Sequence, residues 1–370
     1  MNPGPQRSQV YAWEGFEAAR QLPAPHPYAG RWHGHSFRIG MAMPAEQLAP
    51  AFAGDEEASV SAQLADVSSQ FDYCNLNDRL AQPDDIHLLQ ALVERLPVPP
   101  AVAALRSAPE TGVMRDQDGR FLTWLASRFE AAHQLPNVPD GHPCGRLHGH
   151  GFVVRLYIET ASSSRAATQL AALRQAWSEL WVLLDHGHLN LLPGLENPTS
   201  EMLCVWIWQR LQQQVAGLRW VQVRETATAG CLYDGEDFRI WKAQRFEAAR
   251  RLPAAPATDR RHNWHGHSYL IRLHLCAPLD PVLGWTLDFG DVKALFTPVY
   301  QQLDHYDLNR IAALQSGCSL SLANWISEQI GAELPQLQRV DVQTTPQSGC
   351  QLTWDDVSAP SDLPTEVLGS

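Results

Sequence analysis

The sequence is short of several things, and each shortage closes a class of function. It has no run of Lys and Arg, and its 28 basic residues against 40 acidic ones leave a formal net charge of −12. A phosphate-tracking surface needs clustered cations, so no nucleic acid is expected as a partner. No apolar stretch reaches the roughly 20 residues of a spanning helix, so no membrane partner is expected either. Met1 to Gln9 lack the apolar core of a leader peptide. The seven cysteines (74, 144, 204, 231, 276, 318 and 350) are odd in number and scattered, which suits reduced thiols and a cytoplasmic location rather than a disulfide framework. What remains is 45% hydrophobic over 370 residues, enough for more than one ordinary domain.

What is present first is repetition. Phe16-Glu17-Ala18-Ala19-Arg20-Gln21-Leu22-Pro23 returns as Phe129 to Pro136 and as Phe246 to Pro253. His-Gly-His stands at 33–35, 148–150 and 265–267, spacings of 115 and 117 residues. Asp72-Tyr73, Asp185-His186 and Asp304-His305 follow at matching places, and Gly112, Gly230 and Gly349 mark matching ends. These landmarks define units at 8–115, 120–235 and 238–355, with a loose tail at 356–370. Each unit reads as two strands, two helices and two strands; in the second, Phe152, Val154, Leu156 and Ile158 alternate on one strand face. Helices are expected there over 169–184 and 199–215. The fold class is therefore α+β, with three tandem ββααββ units. One four-stranded sheet leaves two open edges, whereas three side by side close into an antiparallel barrel of about twelve strands with helices outside.

The chemistry concentrates in Cys144-Gly145-Arg146-Leu147-His148-Gly149-His150. In a strand, His148 and His150 project to one face, and His133 lies just upstream. Three neutral imidazoles converging on a point suit a catalytic Zn2+ with an open fourth position. The Cys144 thiol beside them is a candidate base or nucleophile.

With His133, Cys144-x-x-x-His148-Gly149-His150, Asp185-His186, Asn197-Pro198-Thr199-Ser200-Glu201 and Arg224-Glu225-Thr226 in that order, unit two resembles the 6-pyruvoyltetrahydropterin synthase/6-carboxytetrahydropterin synthase family of tunnelling-fold (T-fold) proteins. Members usually trimerise into a twelve-stranded barrel, and two trimers stack. The resemblance implies a trimer fused into one chain, with stacking of two barrels into a homodimer as a further expectation. The gap between Cys144 and His148 looks like the carboxytetrahydropterin branch, which feeds queuosine synthesis. The implied substrate is 7,8-dihydroneopterin triphosphate. The implied roles are zinc on His133, His148 and His150, Cys144 as base, an Asp-His pair as second proton relay, Glu225 on the amidine-like edge of the pterin, and Thr199 and Thr226 in substrate binding.

The units are not equivalent. Arg20 and Arg250 stand where His133 does, and Ala29 and Arg261 where Cys144 does. Arg repels a cation, so zinc is expected only in unit two, the guanidinium elsewhere filling the vacated hole or binding a substrate anion. In the family a neighbouring subunit supplies the Asp-His pair. Unit one offers Tyr73, a poor relay at neutral pH, so Asp304 and His305 of unit three are the expected donors, leaving Asp185 and His186 against a dead site. The residue matching Glu225 is Thr344 in unit three, and Ser107 or Glu110 in unit one, depending on the alignment. Asp288-Phe289-Gly290-Asp291-Val292-Lys293 occurs in unit three alone and reads as a helix start.

The leading function is a zinc-dependent pterin lyase of the 6-carboxytetrahydropterin synthase type. Alternatives are 6-pyruvoyltetrahydropterin formation, side-chain cleavage by an aldolase, and a non-catalytic pterin-binding scaffold. The folate-linked cleaving variant is expected to carry Glu in place of Cys144.

Overall fold

The chain was analysed as a computed structural model, which describes residues 6–26, 28–160 and 162–354. The expected tail lies outside them. Unit one comprises β1 (Gln6–Gln21), β2 (Trp32–Pro44), α1 (Glu56–Ser69), β3 (Cys74–Asn75), α2 (Asp85–Val93), β4 (Val102–Ala108) and β5 (Thr111–Arg115). Unit two follows with β6 (Phe121–His133), β7 (His148–Thr160), α3 (Ser163–Leu184), β8 (Gly187–His188), α4 (Ser200–Leu211), β9 (Leu218–Thr226) and β10 (Ala229–Tyr233). Unit three has β11 (Phe238–Arg250), β12 (His265–Cys276), α5 (Phe289–Leu303), β13 (Tyr306–Asp307), α6 (Ser319–Ile330), β14 (Leu337–Thr345) and β15 (Ser348–Trp354).

Twelve strands run in the order β10-β9-β7-β6-β5-β4-β2-β1-β15-β14-β12-β11, and β10 pairs with β11 to close the antiparallel barrel. Closure removes every edge, as the three copies required. The seams between units are β6–β5, β10–β11 and β1–β15. Each two-residue strand (β3, β8 and β13) pairs in parallel with the first strand of its own unit.

Strand alternation sorts side chains to two faces. One face packs under the six helices, with Phe129, Phe152, Val154 and Leu156 against Leu173, Leu180, Leu203 and Ile207 in unit two. The other lines the lumen, where Tyr11, Trp13, Trp124, Tyr157, Trp220 and Trp241 cluster. His274 belongs to the lumen too, with its Nε2 2.9 Å from Asp341 Oδ2. Arg339 meets the same carboxylate, so this buried acid is paired and sits far below the usual carboxylate range.

Helices α2, α4 and α5 begin on side-chain caps. Thr199 Oγ1 accepts from Met202 N–H, Asp84 from Ile86 and His87 N–H, and Asp288 from Gly290 N–H. Helix α3 begins six residues before the expected 169, and α4 stops at Leu211.

A bulge recurs at one point in every unit. Arg224 and Glu225 together face Gly230, Ser107 is the extra residue opposite the Gly112 turn, and Thr344 is the extra residue opposite Gly349. A Cβ on Gly112, Gly230 or Gly349 would lie 2.5, 2.7 or 2.2 Å from a partner-strand carbonyl oxygen, which explains these glycines. The register also decides the open alignment: Ser107, not Glu110, is the counterpart of Glu225.

Candidate metal centre and its two remodelled copies

In unit two, β6 and β7 pair with His133 opposite His148 and Ala131 opposite His150. Ring centroids lie 4.5 Å apart for His133–His148, 5.3 Å for His133–His150 and 5.0 Å for His148–His150. The bulge brings in Glu225, and one ligand atom from each of His133, His148, His150 and Glu225 falls within 4.8 Å of the others. His133 Nδ1 donates to Pro198 O at 3.0 Å and His148 Nδ1 to Arg146 O at 2.7 Å, which leaves each Nε2 as the electron-pair donor.

His133 is 1% exposed, and its Nε2 has no hydrogen-bond partner. His150 Nε2 is also buried and unpartnered; Glu225 Oε1 lies 3.0 Å away but out of line for a hydrogen bond. Buried polar atoms of this kind need partners. Three convergent imidazole lone pairs could hold a divalent metal, with the Glu225 carboxylate beside them.

Burial and the neighbouring imidazolium charges lower the His133 pKa, against the pull of Glu225, so the ring stays neutral and able to ligate. Burial pushes the Glu225 carboxyl up, but His150 and His133 outweigh it and the net shift is down. Ser200 Oγ donates to Glu225 Oε2 at 3.0 Å. Cys144 is half-buried, and burial, then Glu225 and Asp288, push its thiol up. Burial is the largest of these causes, and the two carboxylates act in the same direction.

The centre opens into a pocket of about 610 Å³ whose walls include Cys144, His148, His150, Glu225 and Thr226 from unit two. Lys242 and Phe289 of unit three complete it. Sequence reasoning missed both. Lys242 lies opposite Ala229 across the β10–β11 seam, and Phe289 opens α5, in the segment read only as a helix start. Burial and Lys293 lower the Lys242 pKa.

Thr199 was expected to bind substrate, and the structure corrects this. It is 4% exposed, its Oγ1 accepts Met202 N–H at 3.1 Å and donates to Gly284 O at 2.5 Å, and it does not line the pocket. With Asn197 Nδ2 on Leu283 O at 2.7 Å and Glu201 accepting Thr286 N–H at 2.8 Å, the Asn197–Glu201 motif clamps the unit-three loop that leads to Phe289.

Both Asp-His pairs have one geometry. Asp304 Oδ1 accepts Glu247 N–H on β11, and Oδ2 lies 2.9 Å from His305 Nδ1. Asp185 and His186 repeat this on Glu130 of β6, at 2.8 Å. The backbone donors, then the imidazoles, lower both carboxyl pKa values. β11 borders the unit-two centre through β10, whereas β6 borders unit one through β5.

The other two centres are rebuilt, each differently. In unit one, Arg20 Nη1 donates to Pro83 O at 3.0 Å, the counterpart of the His133 bond to Pro198 O. The acid and the hydroxyl have exchanged places: Asp85 stands where Ser200 does, Ser107 where Glu225 does, and Ser107 Oγ donates to Asp85 Oδ2 at 2.6 Å. Asp85 also pairs with Arg20 at 2.6 Å. In unit three, Arg250 Nη1 donates to Gly317 O at 2.8 Å. Glu57 of unit one enters this centre and accepts from Thr344 Oγ1 at 3.0 Å and Ser348 Oγ at 2.7 Å. His35 and His267 are held to about 4, chiefly by burial and then the adjacent Arg, so both rings are neutral.

A fused antiparallel barrel of ββααββ units, with a His-rich centre at a seam, defines the T-fold class. The comparison with known families carries this further. The model described as 6-pyruvoyl tetrahydropterin synthase matches residues 123–236 and again 239–354, well over half of the chain, and the chain belongs to this family. It is accordingly an enzyme of the lyase class. A 6-carboxy-5,6,7,8-tetrahydropterin synthase from Synechocystis is 41% identical over 113 residues, covering 28% of this chain and 86% of the relative. A dihydroneopterin monophosphate aldolase from Pyrococcus furiosus is 29% identical over 93 residues, covering 24% and 78%. The Caenorhabditis elegans 6-pyruvoyl tetrahydropterin synthase structure aligns at 22% identity and a TM-score of 0.28, over 30% of this chain and 92% of that one.

Proposed function

We propose that the chain is a zinc-dependent 6-carboxytetrahydropterin synthase of the queuosine precursor route, acting on 7,8-dihydroneopterin triphosphate or a close relative at one centre per chain. The observation that supports this most is the single cluster of His133, His148, His150 and Glu225, the only such group among the described residues, beside the Cys144 thiol. The 41%-identical relative bears that name.

His133, His148 and His150 would hold the zinc, which when bound supplies a Lewis acid that acidifies the substrate's side-chain hydroxyls and the adjacent C–H. Cys144, as the thiolate that a cation held beside it would favour, takes the proton from that carbon at Sγ. Asp304 and His305 are the second relay: Asp304 fixes the Nδ1–H, and the imidazole exchanges a proton at Nε2. Glu225, steadied by Ser200, accepts the two N–H groups of the pterin's amidine-like edge. Thr226 lines the same wall, and Lys242, with Arg146, gives the pocket cations for the phosphorylated tail. Phe289 covers the pocket from the unit-three side and limits water.

Product analysis after incubation with dihydroneopterin triphosphate tests this. The expected product is the carboxylated pterin, formed by wild type and not by Cys144→Ala. The aldolase relative supports a second reading in which the side chain is cleaved to a hydroxymethylpterin, and that product would replace the first. Turnover by Cys144→Ala at the wild-type rate would refute both.

A further inference from the structure

We propose that the remodelled centre of unit one is a second, metal-free ligand site that takes a flat nitrogen heterocycle bearing one acidic group. Among the described residues that line it from the neighbouring unit, none is an acid that could enter as Glu57 does in unit three. A cavity of about 530 Å³ remains between unit one and helix α3 of unit two, a volume that suits a small organic ligand. Arg20 stands where a metal ligand would be, so a cation is repelled rather than held.

The walls of this cavity contain unmet hydrogen-bonding capacity. Arg20 is 3% exposed and Thr123 7% exposed, and Arg20 Nε and Thr123 Oγ1 are both buried without a partner. Both residues line the cavity. An acceptor bound in the cavity would satisfy both donors. The Arg20 charge is balanced by Asp85. Arg174 of α3 lines the same cavity and forms no ion pair with a described residue, so its fork is available to a carboxylate or phosphate. Glu110, also on the wall, offers an acceptor to a ring N–H.

The remaining lining suits a planar body. His26 and Tyr28 have ring centroids 5.7 Å apart, Tyr28 and His33 6.3 Å, and His33 and His35 5.1 Å, at interplanar angles of 47°, 59° and 90°, so ring faces and edges alternate along one side. Across from them α3 presents Ala167, Leu170 and Ala171. One unmatched cation, one unmatched acceptor and a row of rings define the ligand: one acidic group, one N–H edge and a flat ring.

The proposal stands apart from the metal-centre reading, and its test removes that centre. In full-length chain carrying His148→Ala and Glu225→Ala, treated with chelator, titration calorimetry with pterin-6-carboxylate as probe is expected to show about one site per chain. Adding Arg174→Glu should weaken binding roughly tenfold or more, as loss and reversal of a charge-assisted contact would. Adding Ala167→Trp should abolish it by filling the cavity. In the wild-type holo chain, neither Arg174→Glu nor Ala167→Trp should change turnover, because both residues lie outside the metal pocket. Absence of binding in the metal-free chain, or binding that either substitution leaves unchanged, overturns the proposal.

Discussion

Glu201 offers a test of how units two and three are joined. Its carboxylate is 2% exposed and accepts Thr286 N–H at 2.8 Å and Thr286 Oγ1 at 3.1 Å across the seam. Burial pushes it up to about 7 from 4.5, and the Thr286 donors only partly offset this. Because the folded state favours the protonated form, the stability Glu201 contributes is fully present below pH 4.5 and is lost as pH rises through 7. A rise of that size corresponds to about 3 kcal/mol. Glu201→Gln keeps the Oε1 acceptor but never ionises. Urea midpoints measured on the metal-free chain should therefore coincide near pH 4.5 and separate with rising pH, with the variant gaining about 3 kcal/mol over wild type by pH 8.5. Parallel curves, or a variant that loses ground above pH 7, would show that the ionised carboxylate is well accommodated by Thr286 and refute the reasoning.

Metal analysis should find one zinc per chain, and His133→Ala should release it; a content of two or three would show that the Arg20 and Arg250 centres still bind. His305→Ala should cut turnover roughly 100-fold or more, as loss of a proton relay does, while His186→Ala should leave it near wild type. The opposite ranking would move the donor to unit two. Glu57→Ala removes the acceptor of the Thr344 and Ser348 hydroxyls, of which Ser348 keeps Thr345 Oγ1 at 2.9 Å, and should cost about 1–3 kcal/mol in denaturant unfolding with turnover intact; an unchanged midpoint would show that water replaces the carboxylate. Lys242→Ala should raise KM for the triphosphate substrate more than it lowers kcat, and an unchanged KM would remove it from phosphate binding.

The three-unit barrel was legible because the same landmarks recur at nearly constant spacing, and only closure disposes of the sheet edges. The imidazole cluster was legible because His148 and His150 share a strand face and His133 pairs across from them. Ring order was not, since nothing in one sequence says which copy lies on which side; the β10–β11 pairing decides it. Lys242 and Phe289 were hidden for the same reason, as they belong to unit three and serve a centre built on the imidazoles of unit two. The Ser107 alignment needed the bulge register. Thr199 misled because its motif invites a substrate role, whereas its hydroxyl is fully used in a cap and a cross-seam bond. Arg20 and Arg250 each replace the imidazole's bond to a loop carbonyl, at Pro83 and Gly317, a pairing that depends on the tertiary fold.

The chain itself crosses two of the three seams, through the hairpin turns at 116–120 and 234–237. The third, β1 on β15 from Gln6↔Trp354 to Ala12↔Ser348, has no covalent crossing. It is there that Asp55, Glu56 and Glu57 of unit one reach unit three, at Arg261 (2.8 Å), Cys318 (3.7 Å) and the Thr344–Ser348 pair. The contacts at the third centre act as a buckle, fastening the two ends of a belt that three separate subunits would never have had. A chain cut at 234–237 and rejoined through its present ends would move that task to the β10–β11 seam, where the metal pocket would then have to hold the ring shut as well as do chemistry.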